Sequence, residues 1–181
     1  MNPVDIINEY YQPGSRAYEI VVRHGEDVAR KAAAVAEKAI HLNPDLEFIR
    51  EAAMLHDVAI FLTDAPKLDC RGPYPYVCHG YLGRELLERR NLPKHALVCE
   101  RHVGIGITVE DVRKRGLPLP ERDMIPLSIE ERIICYADKF FSKNGLRTET
   151  AKSVEEVLRD IARYGRDKVS IFQSWLQMFD T

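Results

Sequence analysis

No apolar run in this chain approaches the roughly 20 residues that a bilayer-spanning helix needs, so a membrane partner is not expected. The first residues, MNPVDIINEYYQPG, carry acids early and lack a basic start leading into an apolar stretch, which reads against a secretory signal. Charge of one sign is missing too. The 26 basic and 28 acidic residues leave a formal net charge of −2, too weak a field to gather a nucleic-acid backbone, and no large nucleic acid is expected as a partner. Cysteines are few (Cys70, Cys78, Cys99 and Cys135) and none stands in a CxxC pair. Reduced thiols in a cytoplasmic protein are the expectation. Internal repeats, low-complexity tracts and linkers are absent as well, so the 181 residues read as one domain.

What the chain does have is helical periodicity, with no convincing alternation at period two. The pattern predicts an all-α domain of about eight helices. Asn2-Pro3 opens the first and Pro13-Gly14 closes it; Ser15 caps a second across Arg16 to Val22. An alanine-rich stretch led by His24 follows, with Val28, Ala32, Val35 and Ala39 on His24's face. Asn43-Pro44-Asp45 starts a helix reaching about Val58, on which Ile49, Ala52, Ala53 and His56 share the inward side. Residues 63–77 hold Pro66, Gly72, Pro73 and Pro75 and read as a loop, long enough to wall a substrate. His79 and His102 lie on the apolar stripes of the next two helices. Thr108 with Asp111, Ser128 with Glu131 and Ser153 with Glu156 have capping-box spacing, and Asp167 to Phe179 forms the last helix.

The adjacent pair His56-Asp57 offers two ligands to one cation, and His24, His79, His102 and Asp138 stand in the same kind of apolar segment. Asp138 demands a partner most. A carboxylate buried among Ile134, Ala137 and Phe141 needs a cation, and Lys139, about 100° away around a helix, is poorly placed to be one. His41 reads as an ordinary helix-end residue, and His95 lies two turns from His102, too far to share its ion.

The ordered set His24 … His56-Asp57 … His79 … His102 … Asp138 resembles the HD-domain superfamily of metal-dependent phosphohydrolases, particularly small stand-alone bacterial and archaeal members. The contexts RHGEDVARKA, EAAMLHDVA, HGYLGRELL, ERHVGIGIT and IICYADKF carry the likeness, which covers nearly the whole chain. It implies a single helical HD bundle, with a core over about 16–145 and a C-terminal helix pair over about 153–180. It also implies one metal held by His24, His56, Asp57 and Asp138, and a second held by His79 and His102 with Asp57 bridging. Val103 stands where some members carry a further histidine, which would weaken the second site or leave it to be completed by water and substrate.

The nitrogen-and-carboxylate donor set suits iron, manganese, zinc, cobalt or nickel. The expected chemistry is hydrolysis of a nucleotide or another small phosphorylated metabolite by a metal-activated hydroxide. Asp57, Arg101 and Lys139 are the residues assigned to catalysis, the last two as phosphate contacts, while Lys67 and Arg71 in the long loop are candidate substrate contacts. The resemblance leaves other readings open: cleavage of a dinucleoside polyphosphate, a di-iron oxygenase, or a non-catalytic nucleotide-binding domain. Substrate, metal and oligomeric state are not legible.

Overall fold

A computed structural model describes residues 1–143 and 151–179. The core boundary expected near residue 145 and the helix-pair end expected near 180 lie outside them. Helix α1 (Pro3–Asn8) is capped by Asn2, whose side chain accepts from Val4 N. Helix α2 runs unbroken over Arg16–Lys38 from its Ser15 cap, where the sequence predicts two pieces. Gly25 does not interrupt it, because it lets α3 (Leu46–Leu55) pack close. A Cβ at Gly25 would stand 3.1 Å from Met54 O. Contact at that point brings His24 beside the end of α3.

Helix α3 is shorter than its periodicity predicts. Asp45, not Asn43, is the cap, accepting from Phe48 N at 3.0 Å, and the helix stops at Leu55, so His56 and Asp57 fall past its last turn. Helices α4 (His79–Arg89), α5 (Pro93–Arg101), α6 (Val109–Arg115) and α7 (Ile129–Asp138) follow. Thr108 and Asp111 form a reciprocal capping box on α6. At α7 only half of the expected box exists: Ser128 accepts from Glu131 N, while the Glu131 carboxylate accepts from Leu127 N and pairs with Arg101.

The segment 63–77 is a miniature sheet instead of a plain loop. Strands β1 (Thr63–Ala65), β2 (Cys70–Arg71) and β3 (Tyr74–Pro75) lie in the order β2-β1-β3, antiparallel on one side of β1 and parallel on the other. The strands are too short for alternation to show. Gly72 is required here, since a Cβ would run into the Leu62 backbone while Gly72 N bonds Thr63 O at 2.9 Å.

Two apolar clusters meet along α3. Ile49, Ala52 and Ala53 pack with Val28, Ile133, Phe172 and Trp175; Leu55 and Val58 pack with Ile7, Val21, Ile60, Leu87 and Cys99. His56 and Asp57 occupy the interval. All four cysteines are buried and free, and no helix among the described residues is long and apolar enough to cross a membrane.

Helices α8 (Val154–Ala162) and α9 (Arg166–Phe179) form the C-terminal pair. Phe172, Trp175 and Phe179 anchor α9 in the first cluster. A polar tie adds to this: the buried Lys168 ammonium reaches Gly106 O at 2.9 Å and Asp111 Oδ2 at 2.7 Å. Burial alone would raise the Asp111 carboxyl, but Lys168 and Thr108 outweigh it and hold it at about 2. A carboxyl depressed on folding contributes stability that is present above its ordinary value near 3.8 and is lost as pH falls through about 2. Lys168→Met is therefore expected to cost about 1–3 kcal/mol at neutral pH and to flatten the acid limb of the stability curve below about pH 4, checked by thermal melts across pH.

Candidate metal centre

The six polar residues singled out above converge, and they do so mainly at helix ends. His56 and His102 are the residues just past α3 and α5, Asp138 is the last residue of α7, and His79 is the first of α4. Only His24 projects from mid-helix. The C-termini of α3, α5 and α7 thus turn their partial negative charge toward one spot, which favours a cation there. None of the six is more than 7% exposed.

Helix ends also fix the imidazoles. His56 Nδ1 donates to Ala53 O at 2.6 Å, His102 Nδ1 to Cys99 O at 2.7 Å, and His79 Nδ1 to Tyr76 O at 2.6 Å. A carbonyl only accepts, so each ring carries a proton on Nδ1, and in the neutral form its lone pair is on Nε2. The Ala53 and Cys99 carbonyls are ones that a helix end leaves open, and all three bonds aim Nε2 inward as ligand-orienting contacts do.

The lone pairs face one another. His79 Nε2 and His102 Nε2 are 3.1 Å apart, and each lies 3.3–3.4 Å from Asp57 Oδ1. On the other side, His56 Nε2 stands 3.2 Å from His24 Nε2 and 3.1 Å from Asp57 Oδ2. Asp138 Oδ1 lies 2.9 Å from His24 Nε2 and 3.5 Å from His56 Nε2. Donor atoms so arranged repel unless a cation sits among them. Ligands about 2.0–2.2 Å from one ion stand roughly 3.0–3.5 Å from each other, so the spacing fits. Both oxygens of Asp57 are buried without a hydrogen-bond partner in the described structure, as ion-facing atoms would be. The residues fall into two groups, His24-His56-Asp57-Asp138 and Asp57-His79-His102. A divalent metal ion fits this cluster.

Electrostatics agree with that reading. Burial, then Lys143, lowers His24 to about 4, and burial takes His79 to about 3, so both rings are neutral and ligand-ready at pH 7. Burial lowers His102 as well. Burial also opposes charge on His56, yet Asp57 and Asp138 outweigh it and raise that ring to about 9, the place where a proton does part of a metal's work. Burial would raise Asp57 and Asp138, but His56 and Lys143 hold the first, and Lys139 and Lys143 the second, well below the usual carboxylate range.

The centre opens on a cavity of about 930 Å³. It is lined by His79, His102, Asp138, Lys139 and Lys143, by the apolar Val103, Ile105, Ile107 and Phe141, and by Val157, Ile161 and Tyr164 from the C-terminal segment, with further charged residues among them. Lys67 lines it too, but Arg71 and Arg101 are not among the described lining residues. Arg101 pairs instead with both oxygens of Glu131 at 3.0 Å, tying α5 to α7. Lys139 is a correction. Its backbone stays helical past Asp138, but its long side chain bends back, and the ammonium reaches Asp138 Oδ2 at 2.7 Å and His102 O at 3.1 Å. Sequence reasoning missed Lys143 and Tyr76. Lys143 Nζ lies 2.8 Å from Asp57 Oδ2, and the Tyr76 ring lies tilted against His79 with centroids 4.7 Å apart. Nothing local marks either one.

A helical domain whose helix ends deliver a buried His/Asp cluster fit for a divalent ion defines a class: helical metal-binding domains. The HD domain family matches residues 15–142, and the chain belongs to that family. At family level the supported chemistry is metal-dependent phosphohydrolysis. A tRNA (cytidine(56)-2'-O)-methyltransferase of Picrophilus torridus is 32% identical over 127 residues, which make up 70% of this chain and 33% of that protein. The corresponding methyltransferase of Thermoplasma volcanium is 29% identical over 73% of this chain and 34% of its own length. An uncharacterised protein of Methanocaldococcus jannaschii is 32% identical over 62% of this chain and 65% of its own. The matched stretch is thus only about a third of each methyltransferase. Among solved structures, the HD domain of the L. monocytogenes phosphodiesterase PgpH in complex with cyclic-di-AMP aligns with a TM-score of 0.55 at 15% identity, covering 96% of this chain and 94% of that one. Another structure of that domain aligns with a TM-score of 0.51, also at 15% identity, over 86% of this chain and 88% of that one. At that identity the likeness shows the fold alone.

Proposed function

We propose that this chain hydrolyses a small phosphorylated metabolite, a nucleotide or similar ester, with two divalent transition-metal ions that share Asp57. One observation carries the reading: Asp57 is buried and turns Oδ2 to His24 and His56 and Oδ1 to His79 and His102. A carboxylate set between two nitrogen pairs would be able to serve an ion on either side. Bound there, divalent ions of the iron, manganese, zinc, cobalt or nickel type would supply a water acidified toward neutral pKa and positive charge against phosphoryl oxygens.

The chain's own residues do the rest. The apolar walls exclude water and take the organic part of the ester, for which about 930 Å³ leaves ample room. Burial raises the Tyr76 phenol, so its hydroxyl keeps its proton at pH 7 and can donate to a phosphoryl oxygen beside His79. Arg101 acts as a positioning residue that holds α5 to α7, and with them His102 and Asp138. Lys139 steadies Asp138 from the oxygen that His24 does not face.

The test is metal analysis of anaerobically purified protein, followed by turnover of a panel of phosphomonoesters and phosphoanhydrides after reconstitution. Oxygen consumption with reduced iron and no phosphate release would favour an oxygenase; saturable nucleotide binding without turnover would favour a binding domain. Within the hydrolase reading, Lys67→Ala should raise KM about five-fold, a loss of roughly 1 kcal/mol for a rim contact, with kcat kept. Arg71→Ala should leave KM at the parent value, since Arg71 is exposed on β2 and absent from the cavity lining.

A further inference from the structure

Lysines 139 and 143 both reach the carboxylates of the centre, but they reach different sides of them. The Lys139 ammonium takes Asp138 Oδ2, the oxygen turned from His24, together with His102 O. An ion among the histidines leaves that contact intact. Lys143 Nζ lies 2.8 Å from Asp57 Oδ2 and 3.9 Å from Asp138 Oδ1. Those are the oxygens that face His24 and His56, at 2.9–3.5 Å from their Nε2 atoms. Lys143 Nζ thus forms its ion pair on the same Asp57 oxygen that the His24 and His56 rings face.

We propose that Lys143 competes with the ion for the His24-His56-Asp57-Asp138 group and, once displaced, becomes the cationic contact for the phosphoryl group of the substrate. A divalent ion and an ammonium group cannot share the same two buried oxygens without strong repulsion, which a low-dielectric site does not screen. The lysine is the one that yields, having a flexible stem and a single charge. It lines the cavity, so it has somewhere to go, and what it meets there is the anion. Metal binding and phosphate binding are thereby coupled through one side chain.

The second half of this inference rests on the phosphohydrolase reading; the first does not. Chelator-treated protein titrated calorimetrically with Mn²⁺ alone, then with inorganic phosphate after loading, tests both. Lys143→Met should bind Mn²⁺ about ten-fold more tightly than the parent, bind inorganic phosphate about ten-fold more weakly once loaded, and melt at a lower temperature without metal. Lys143→Arg keeps a cation and should leave Mn²⁺ affinity near the parent value. A lysine that merely braces the fold would give weaker Mn²⁺ binding in the Met variant. Unchanged or weaker Mn²⁺ binding in a folded variant overturns the proposal, and Lys143→Gln, read in the same way, decides if the Met variant does not fold. Tighter Mn²⁺ binding without turnover of any phosphoester would keep the competition and remove the hydrolase; turnover with unaltered Mn²⁺ binding would do the reverse.

Discussion

Asp57→Ala should lose phosphohydrolase activity by about 10³-fold or more, because one substitution removes a ligand from both donor groups together with the charge that steadies them. Bound metal should fall with it, measured by elemental analysis after reconstitution. The metal-free fold should also weaken. Asp57 is the partner of Lys143 at 2.8 Å and of His56 at 3.1 Å, so its loss leaves cations buried without an anion. Asp57→Asn separates the effects, since it keeps the shape and one oxygen while removing the charge. Circular dichroism unchanged in an inactive, metal-poor Asn variant ties the loss to coordination. Parental activity on the same substrate in either variant would rule out the bridging role.

Gly80→Ala should damage the His79-His102 side selectively. Helices α4 and α5 pack face to face, and a Cβ at Gly80 would lie 2.7 Å from Val103 Cγ2 and 3.0 Å from Cys99 O. Val103 follows His102, and Gly80 follows His79, so the added methyl group pushes apart the two residues whose Nε2 atoms stand 3.1 Å from each other. Metal affinity on that side should drop about 10–100-fold, the range seen when a ligand is misaligned from behind. Overpacking should cost about 1–3 kcal/mol of stability. The ion held by His24, His56 and Asp138 should remain. Titration of metal stoichiometry with a thermal melt checks both; full stoichiometry with parental affinity would show that α4 and α5 absorb the methyl group.

Much of the fold could be read because its signals are local. The caps at Asn2, Ser15, Thr108, Ser128 and Ser153 each bond a backbone N–H two or three residues on, and all are present. The six centre residues were visible for a related reason: polar, ligand-type side chains in apolar stretches are costly to bury without a shared partner. Helix length was harder to read. Apolar spacing continues past Leu55, yet α3 stops there, because His56 and Asp57 gain more from the centre than from further helical turns. The small sheet at 63–77 escaped because strands of two or three residues show no period.

Taken by itself, the sequence settles that this is a helical domain, where most helices start, and which histidines and aspartates belong together, since each follows from neighbours in the chain or from the cost of burial. The destinations of the long charged side chains were decided only in three dimensions. Arg101 goes to Glu131 across 30 residues of chain, Lys139 turns back to the residue before it, and Lys143 arrives at Asp57 from the far side of α7 in sequence. Helices α8 and α9 close the cavity from beyond the HD-matched residues. The physical reason is one of range. A cap or an apolar stripe is fixed within a few residues, whereas a flexible cation takes whichever anion the packed helices bring nearest.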